Sequence, residues 1–327
     1  LSHIIYIISF SIFKAPHETP SSWWHVKCLV YTSNTTNHVP PMSPHTIIHN
    51  GGPLLIFEPP ATYLRHNSNP GYWEKGSSID WCEHNFVVSF FVAEWWNTVS
   101  NVGLIVLGLF GLWITLKKGM ELRFALCHLC SMVIGFGSAA FHGTLTHVGQ
   151  QGDETPMVFF CCVSIMCLIF LKPSTEKIWG GRLFPFACVL ATIFAFGFAV
   201  IHYYLRFILV FQGFITLCFF FTVYNLRPHQ KACADPAAHR LGLHYYLGPA
   251  FLSFVLWNID SQFCEHLHEM SLPNPQFHAW WHIGCGIYTY AGTTFVTFQR
   301  QVYLGKFPVL RYACGIIPYV HNLPCKP

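Results

Sequence analysis

The sequence predicts an all-α integral membrane protein: a bundle of seven transmembrane helices, with the N-terminus in the lumen or exterior and the C-terminus in the cytosol. Composition, the spacing of apolar runs and the placement of basic residues predict it. Of 327 residues, 53% are hydrophobic and 10% are charged, whereas a soluble domain carries about 25% charged residues. The formal net charge of +4 is dispersed, which argues against nucleic-acid binding because such proteins have a basic stripe.

Seven apolar runs approach the roughly twenty residues that cross a bilayer. We expect one membrane-spanning helix in each run and number these spans 1 to 7. The runs are centred on residues 99–115, 124–140, 157–171, 183–201, 207–223, 245–259 and 279–296.

Basic residues predict the orientation of these spans. Of all the Lys and Arg residues, the connections after spans 2, 4 and 6 contain only Arg206. Cytosolic loops are enriched in Lys and Arg, so the more basic side is assigned to the cytosol. That side holds 13 of the 18 basic residues: Lys117, Lys118, Arg123, Lys172, Lys177, Arg182, Arg227, Lys231, Arg240, Arg300, Lys306, Arg311 and Lys326.

The chain divides into three predicted segments. Residues 1–70 include the loop-like stretch NTTNHVPPMSPH and an apolar opening too short to span a membrane, so we predict a disordered or non-native N-terminal extension. Residues 71–300 form the seven-helix domain, and residues 301–327 form a cytosolic tail.

Three histidines form a candidate metal site. His278 and His282 begin span 7 within FHAWWH, and residues four apart share one face of a helix. Alone, this pair also fits two packed core residues. The predicted topology, however, places His142, at the end of span 2, at the same membrane level. Three histidines match a catalytic zinc site, which leaves its fourth position open for water.

Two further residues near these histidines can take part in hydrolysis. Asp153, near the start of span 3, can take a proton from water and return it to a leaving group, or it can merely cap the helix. Ser138 lies one turn before His142 and can position a substrate or stabilise an oxyanion, or it can serve as a small packing residue. Zinc lowers the pKa of bound water to about 7, so the set favours hydrolysis.

An acidic cluster precedes span 1. Asp80, Glu83 and Asn85 lie within six residues, and Glu94 follows where span 1 begins. Calcium prefers six to eight oxygen ligands of this kind, although the EF-hand pattern is absent. From spacing alone, solvated acidic residues in a loop are the simpler interpretation. Some polar residues fit either helix–helix hydrogen bonds or support of a metal site: Asn97, Asn101, Asn258 and Asp260.

Four separated segments carry a family resemblance. They read SIDWCEHNFVVSFFVAEWWNTVSN, GFGSAAFHGTLTHVGQQGDETPM, WNIDSQFCE and QFHAWWHIGCGIYTY. Together they resemble the alkaline ceramidases, seven-helix hydrolases of the superfamily that also contains the progestin and adipoQ receptors. The resemblance runs in order from residue 71 to span 7. It implies cleavage of ceramide, phytoceramide or dihydroceramide to a sphingoid base and a free fatty acid, and thus a role in sphingolipid metabolism.

The resemblance also implies cofactors, Zn²⁺ and Ca²⁺, and assigns roles to residues. The zinc ligands fall on His142, His278 and His282, the catalytic acid on Asp153 and the active-site serine on Ser138. The calcium ligands fall on Asp80, Trp81 through its backbone carbonyl, Glu83, Asn85 and Glu94. A disulfide is implied between Cys82 and Cys264.

The expected partners are a ceramide-type lipid and the bilayer, with no nucleic acid, and the expected form is a monomer in the endoplasmic reticulum or Golgi membrane.

Two alternatives predict other functions. A seven-helix receptor with a structural zinc site would keep the three histidines but not require the acidic cluster, and its topology would be inverted, contrary to the basic-residue distribution. A metal transporter would need polar residues along several spans, whereas spans 3 to 5 are mostly apolar.

Overall fold

The computed structural model describes residues 10–13, 25–28, 69–177, 183–205, 208–269 and 274–324. The chain divides into two compact units, Leu1–Leu55 and Ile56–Pro327. In the first unit, strand β1 (Phe10–Phe13) pairs antiparallel with β2 (His25–Cys28). These strands lie within the segment for which disorder was predicted, and apart from them and residues 69 and 70 that segment lies outside the described residues.

The second unit is mostly helical. Its helices, in chain order, are α1 (Trp95–Ser100), α2 (Val102–Lys117), α3 (Leu122–Thr144), α4 (His147–Ile169), α5 (Pro173–Lys177), α6 (Leu183–Leu205), α7 (Ile208–Lys231), α8 (Pro236–Arg240), α9 (Gly248–Glu269) and α10 (Phe277–Tyr303). A π-helical segment, Leu241–Leu247, joins α8 to α9.

Five helical stretches in the described part of the chain are long and apolar enough to cross a membrane, and they correspond to predicted spans 1 to 5. They are Trp95–Lys117, Leu122–Thr144, His147–Ile169, Phe184–Tyr204 and Val210–Lys231. Predicted spans 6 and 7 coincide with α9 and α10, which have 22 and 27 residues but are not among those five. The helical membrane fold is therefore supported, while seven crossings and the orientation stay predictions.

The connection between α3 and α4 sets the position of the candidate catalytic residues. Leu145 ends α3 in a left-handed conformation with φ of 49°, and the Thr146 side chain accepts a hydrogen bond from the backbone N–H of Gly149 at the start of α4. A Cβ atom placed on Gly137 would lie 2.1 Å from the carbonyl oxygen of Gly152. Because only glycine permits this approach, α3 and α4 pack closely enough for their side chains to meet.

Residues 301–327, predicted as a tail, contain a β-hairpin. After α10 ends at Tyr303, β3 (Phe307–Ala313) pairs antiparallel with β4 (Ile317–Leu323). Cys314 and Gly315, with φ of 48° and 76°, form the turn between the two strands. The Tyr290 hydroxyl donates to the carbonyl oxygen of Pro318 at 2.6 Å, which holds the hairpin against α10. The all-α prediction missed this hairpin because its two strands, of 7 residues each, are much shorter than an apolar run that crosses a membrane.

Candidate active site

The three predicted histidines converge. His142 lies in the last turn of α3, and His278 and His282 lie in the first two turns of α10. One ring nitrogen from each lies within 4.8 Å of the others, and the Nε2 atoms of His142 and His278 are 3.3 Å apart. All three side chains are at most 3% exposed. Three buried imidazoles with facing nitrogens fit a tetrahedral zinc ion with one open position.

Neighbouring side chains orient two of these imidazoles. The Glu94 carboxylate lies 2.5 Å from Nδ1 of His142, and the Ser100 hydroxyl lies 2.9 Å from Nδ1 of His282. Metal-binding histidines usually have such a partner on the second ring nitrogen. Nδ1 of His278 has no hydrogen-bond partner among the described residues, and its ring instead stacks on Trp81 with centroids 3.7 Å apart.

Asp153 and Ser138 reach the histidine cluster from the close contact between α3 and α4. The Ser138 side chain hydrogen-bonds to the Asp153 carboxylate, and Ser138 Oγ lies 3.4 Å from Nε2 of His282. Thr146, rather than Asp153, is the N-cap of α4, so the capping interpretation of Asp153 is wrong. Both residues line the same cavity as His278 and His282.

Burial excludes the interpretation that the acidic cluster is a solvated loop. All five predicted calcium ligands, Asp80, Trp81, Glu83, Asn85 and Glu94, are buried.

These buried ligands are also hydrogen-bonded. The Glu83 carboxylate accepts from the backbone N–H groups of Trp96 and Asn97, both at 2.8 Å, so it caps the start of α1. Asp80 pairs with Lys75 and accepts from the Asn85 amide. The loop is therefore an ordered polar layer beside the histidines.

The electrostatics of this layer favour a bound cation. Burial raises the pKa of Glu83 to about 7. Burial, and then repulsion from Asp80, raises the pKa of Glu94 well above its usual range. Oδ1 of Asn85 has no hydrogen-bond partner among the described residues, so it is free to coordinate. The donor set therefore suits calcium, although across the described chain these carboxylates do not converge within 4.8 Å as the histidines do.

A disulfide links the loop that contains Asp80, Glu83 and Asn85 to α9. Cys82 and Cys264 are bonded, with Cα atoms 5.2 Å apart, as the resemblance implied. His268 lies close enough to both sulfurs to suggest a second metal group, but the disulfide leaves neither thiol free to ligate a metal. The bond fixes the loop of Asp80 and Glu83 against the helix that precedes α10.

Asp260 supports the same region, a role that sequence reasoning left undecided. One oxygen of its buried carboxylate accepts from the backbone N–H of Cys82 at 3.0 Å, and the other accepts from the backbone N–H of His278 at 3.2 Å. The side chain thus joins the acidic loop to the first turn of α10. The signal available in the sequence was an ionisable residue inside an apolar span.

A single cavity extends from the histidines into the apolar core. Trp81, His278 and His282 line one end, and Phe124 and Val296 line the other. Val296 lies 14 residues after His282 in α10, about 21 Å along the helix axis. The cavity is therefore long enough for an extended hydrocarbon chain.

The fold and the site define an integral membrane protein with a buried three-histidine centre at the polar end of an apolar cavity. The Ceramidase family matches residues 74–321. The chain therefore belongs to the alkaline ceramidase family of hydrolases, and the resemblance seen in the sequence is confirmed.

Three relatives illustrate the similarity. The chain is 34% identical to alkaline ceramidase 3 of Mus musculus over 76% of this chain and 94% of that protein. It is 33% identical to the alkaline ceramidase of Arabidopsis thaliana, over 75% and 92%. It is 32% identical to alkaline ceramidase YPC1 of Saccharomyces cerevisiae, over 78% and 94%. These matches favour a hydrolase over the receptor and transporter alternatives.

Proposed function

We propose that the protein is a zinc-dependent amidase that cleaves ceramide, phytoceramide or dihydroceramide into a sphingoid base and a free fatty acid. The observation that carries this proposal is the convergence of three buried histidines with Asp153 and Ser138 at the polar end of a long apolar cavity. Family membership supports the substrate class, because the relatives are alkaline ceramidases.

The residues that would hold zinc are His142, His278 and His282. When bound, zinc would supply a water of pKa about 7 and polarise the amide carbonyl. Glu94 and Ser100 keep the imidazoles of His142 and His282 in place through their second nitrogens.

Asp153 moves the protons of the hydrolysis. Its carboxylate accepts a proton from water as the oxygen attacks the carbonyl carbon, and it then donates that proton to the amide nitrogen as the C–N bond breaks. The Ser138 hydroxyl, beside both Asp153 and His282, donates to the carbonyl oxygen as negative charge develops there. The products are a free amine and a carboxylic acid.

The apolar cavity binds the hydrocarbon part of the substrate. A two-chain lipid can pass from the bilayer into the bundle without a large cost because its methylene groups remain in apolar surroundings. The polar part of the lipid, which includes the amide, then lies near the histidine end. The cavity thus positions the scissile bond beside Asp153 without a charged binding group for the chains.

We assign a structural calcium ion to Asp80, the Trp81 carbonyl, Glu83, Asn85 and Glu94. A divalent cation would offset the repulsion between Asp80 and Glu94. Because Glu94 also contacts His142, order in this loop is transmitted directly to a zinc ligand.

The same proposal includes seven membrane crossings, a lumenal N-terminus and a cytosolic C-terminus, with α9 and α10 as spans 6 and 7. The excess of Lys and Arg on one side supports this orientation. The disulfide between Cys82 and Cys264 fits a lumenal, oxidising side. We place the enzyme in the endoplasmic reticulum or Golgi membrane, acting as a monomer.

Fatty-acid release by purified protein in detergent tests this function. The unmodified chain, His278→Ala and Asp153→Asn would be compared on a panel of ceramides, with bound zinc measured in each. His244→Ala is the matched control because His244 is exposed. We expect both site variants to lose activity and only His278→Ala to lose zinc. An unmodified protein that binds zinc but cleaves no ceramide would favour the receptor alternative.

A further inference from the structure

The hairpin of β3 and β4 runs back along α10 instead of away from it. Strand β3 begins at Phe307, shortly after α10 ends at Tyr303. Near the turn of the hairpin, the carbonyl oxygen of Pro318 accepts the hydrogen bond from the Tyr290 hydroxyl. Tyr290 lies 13 residues before the end of α10, which is about 20 Å along the helix axis. The turn therefore lies back toward the centre of the bundle.

Two neighbouring helices give the depth of this turn. The Tyr290 ring centroid is 6.2 Å from that of Phe110 in α2 and 5.4 Å from that of His128 in α3. Phe110 lies 7 residues before the end of α2, and His128 lies 6 residues after the start of α3. Both helices belong to stretches that are long and apolar enough to cross a membrane. Pro318 therefore lies about 10 Å inside the ends of two candidate spans.

The side chains around the turn suit this depth. Tyr312 and Ile316 are 50% and 76% exposed, and Cys314 between them is also exposed. Further along the strands, Leu310 and Val320 pack against the bundle, so the hairpin is held in place. Residues 301–327 contain no Asp or Glu. Contact with acyl chains would remove the exposed apolar groups from water without burying an acidic group.

Two cations lie on the outer face of the same hairpin. Nζ of Lys118 is 5.6 Å from the centroid of the Tyr319 ring. Tyr319 lies opposite Arg311 in the register of the two strands, so these two side chains share one face. Neither Lys118 nor Arg311 forms an ion pair within the described ranges, because the nearby Glu121 pairs with two other arginines. Both cations are thus available to an anionic ligand.

We propose that the hairpin is embedded in the cytosolic leaflet, with its turn at the start of the acyl chains and with Lys118 and Arg311 bound to an anionic phospholipid headgroup. The cytosolic leaflet has a negative surface potential, which attracts basic residues beside a membrane span. Arg311 can reach the headgroup because its methylene groups stay in apolar surroundings while its charged end extends to the membrane surface. The inference goes beyond the proposed hydrolysis, and it requires that α2 and α3 cross the membrane.

This depth is compatible with a two-stranded sheet. Unpaired backbone groups at a sheet edge are excluded from the hydrocarbon core, but interfacial elements lie about 5–10 Å into the boundary between headgroups and acyl chains. The open end of the hairpin lies further out, because Arg300 pairs with Glu121 at the start of α3 and Lys306 follows the end of α10. Only the turn therefore reaches the acyl chains.

The accessibility of three exposed positions tests the insertion. A nitroxide spin label is placed on Cys314, or on Val106→Cys or Lys306→Cys in the Cys314→Ser chain, with the full chain in nanodiscs of phosphatidylcholine and phosphatidylserine. Val106 on α2 is the membrane reference, and Lys306 is the aqueous reference. At positions 106 and 314, we expect collisions with oxygen to exceed those with a water-soluble nickel complex several-fold, and the reverse at 306. The Cys314→Ser chain alone measures labelling of other cysteines.

Thermal unfolding in the same nanodiscs tests the headgroup site. Phosphatidylserine should raise the Tm of the unmodified chain by a few degrees relative to phosphatidylcholine alone, because a ligand that binds only the folded state stabilises it. Lys118→Gln combined with Arg311→Gln should remove most of this rise. Lys231→Gln is the matched control, since Lys231 is exposed at the end of α7, on the same predicted side of the membrane.

A label on Cys314 that met the nickel complex as often as a label at position 306 would overturn the insertion. An equal rise in Tm for the double variant and the unmodified chain would overturn the headgroup site. Aqueous accessibility at position 106 would contradict the membrane topology and this inference with it. Neither readout depends on ceramide cleavage, so a failure of the proposed function would be seen separately.

Discussion

The two ends of the cavity differ in chemistry although the same helices build them. At one end, α3, α4 and α10 supply Ser138, Asp153 and His282. At the other end, the same three helices supply Phe124, Leu168 and Val296. Each of these helices therefore changes from polar to apolar along its cavity-facing side.

This difference explains how a mostly apolar cavity can position one bond of a lipid for cleavage. A methylene group of the lipid meets the same apolar surroundings wherever it lies along the apolar wall, so this wall does not favour one position of the chain over another. Only the polar end distinguishes positions along the substrate. The apolar end accommodates the hydrocarbon chain, and the polar end fixes the position that places an amide beside Asp153.

The largest expected effect comes from removing a metal ligand at the polar end. His142→Ala deletes one of the three imidazoles and leaves Glu94 without its histidine partner. Loss of a hydrogen-bond partner of a metal ligand alone lowers metal affinity or activity about 10- to 100-fold. Loss of the ligand itself should therefore lower fatty-acid release more than about 100-fold, and bound zinc should be lost as well. A variant that retained full activity without zinc would show that the histidine cluster is not required for amide cleavage.

The next effect should come from the proton carrier. Asp153→Asn should lower kcat by about 10²- to 10⁴-fold, the usual contribution of a general acid–base group, while bound zinc stays unchanged. Asp235→Asn is the matched control, since Asp235 caps the short helix α8 and asparagine also serves at an N-cap. An active Asp153→Asn enzyme would show that another group transfers the proton.

A smaller effect is expected in the acidic layer that supports the polar end. Glu94→Ala removes the partners of His142 and of the Trp81 backbone N–H, so we expect activity to fall about 10- to 100-fold. In thermal unfolding experiments, calcium should raise the Tm of the unmodified chain but should change the Tm of the variant little. Unchanged activity together with unchanged stability would refute the calcium assignment at Glu94.

The smallest effect is expected at the apolar end. Val296→Phe should shorten the cavity, so that kcat/KM for long-chain ceramides falls several-fold relative to short-chain ceramides, because the larger ring overlaps with the end of a long chain. Val302→Phe is the control because Val302 is exposed on the same helix. If long and short substrates were affected alike, the hydrocarbon chain would not reach Val296.

Local sequence patterns predicted many of the residues at the polar end, because such patterns depend only on the geometry of one helix or one turn. The spacing of His278 and His282, and that of Ser138 and His142, fixed which residues share a helical face. The membrane orientation predicted from the basic residues then placed the end of α3 and the start of α10 at the same membrane level. The first five predicted spans correspond to helices of sufficient length and hydropathy.

Contacts between distant segments could not be predicted in this way. The partners of Asp260, which joins the acidic loop to α10, depend on tertiary packing. The same holds for Glu154, whose Oε2 atom lies 3.3 Å from Nδ1 of His202 on α6. Burial of Asp80 and Glu83 was also missed, because spacing does not distinguish a solvated acid from one enclosed by a disulfide-linked loop.

The central claim is that the histidine cluster holds a zinc ion required for amide cleavage. The most direct measurement is to strip metal from the purified enzyme with a chelator, re-add zinc in steps, and follow bound zinc and fatty-acid release together, with calcium held constant. We predict that activity disappears with the metal and returns in proportion to zinc, reaching its maximum at one ion per chain. Full ceramide cleavage by the zinc-free enzyme would contradict the account.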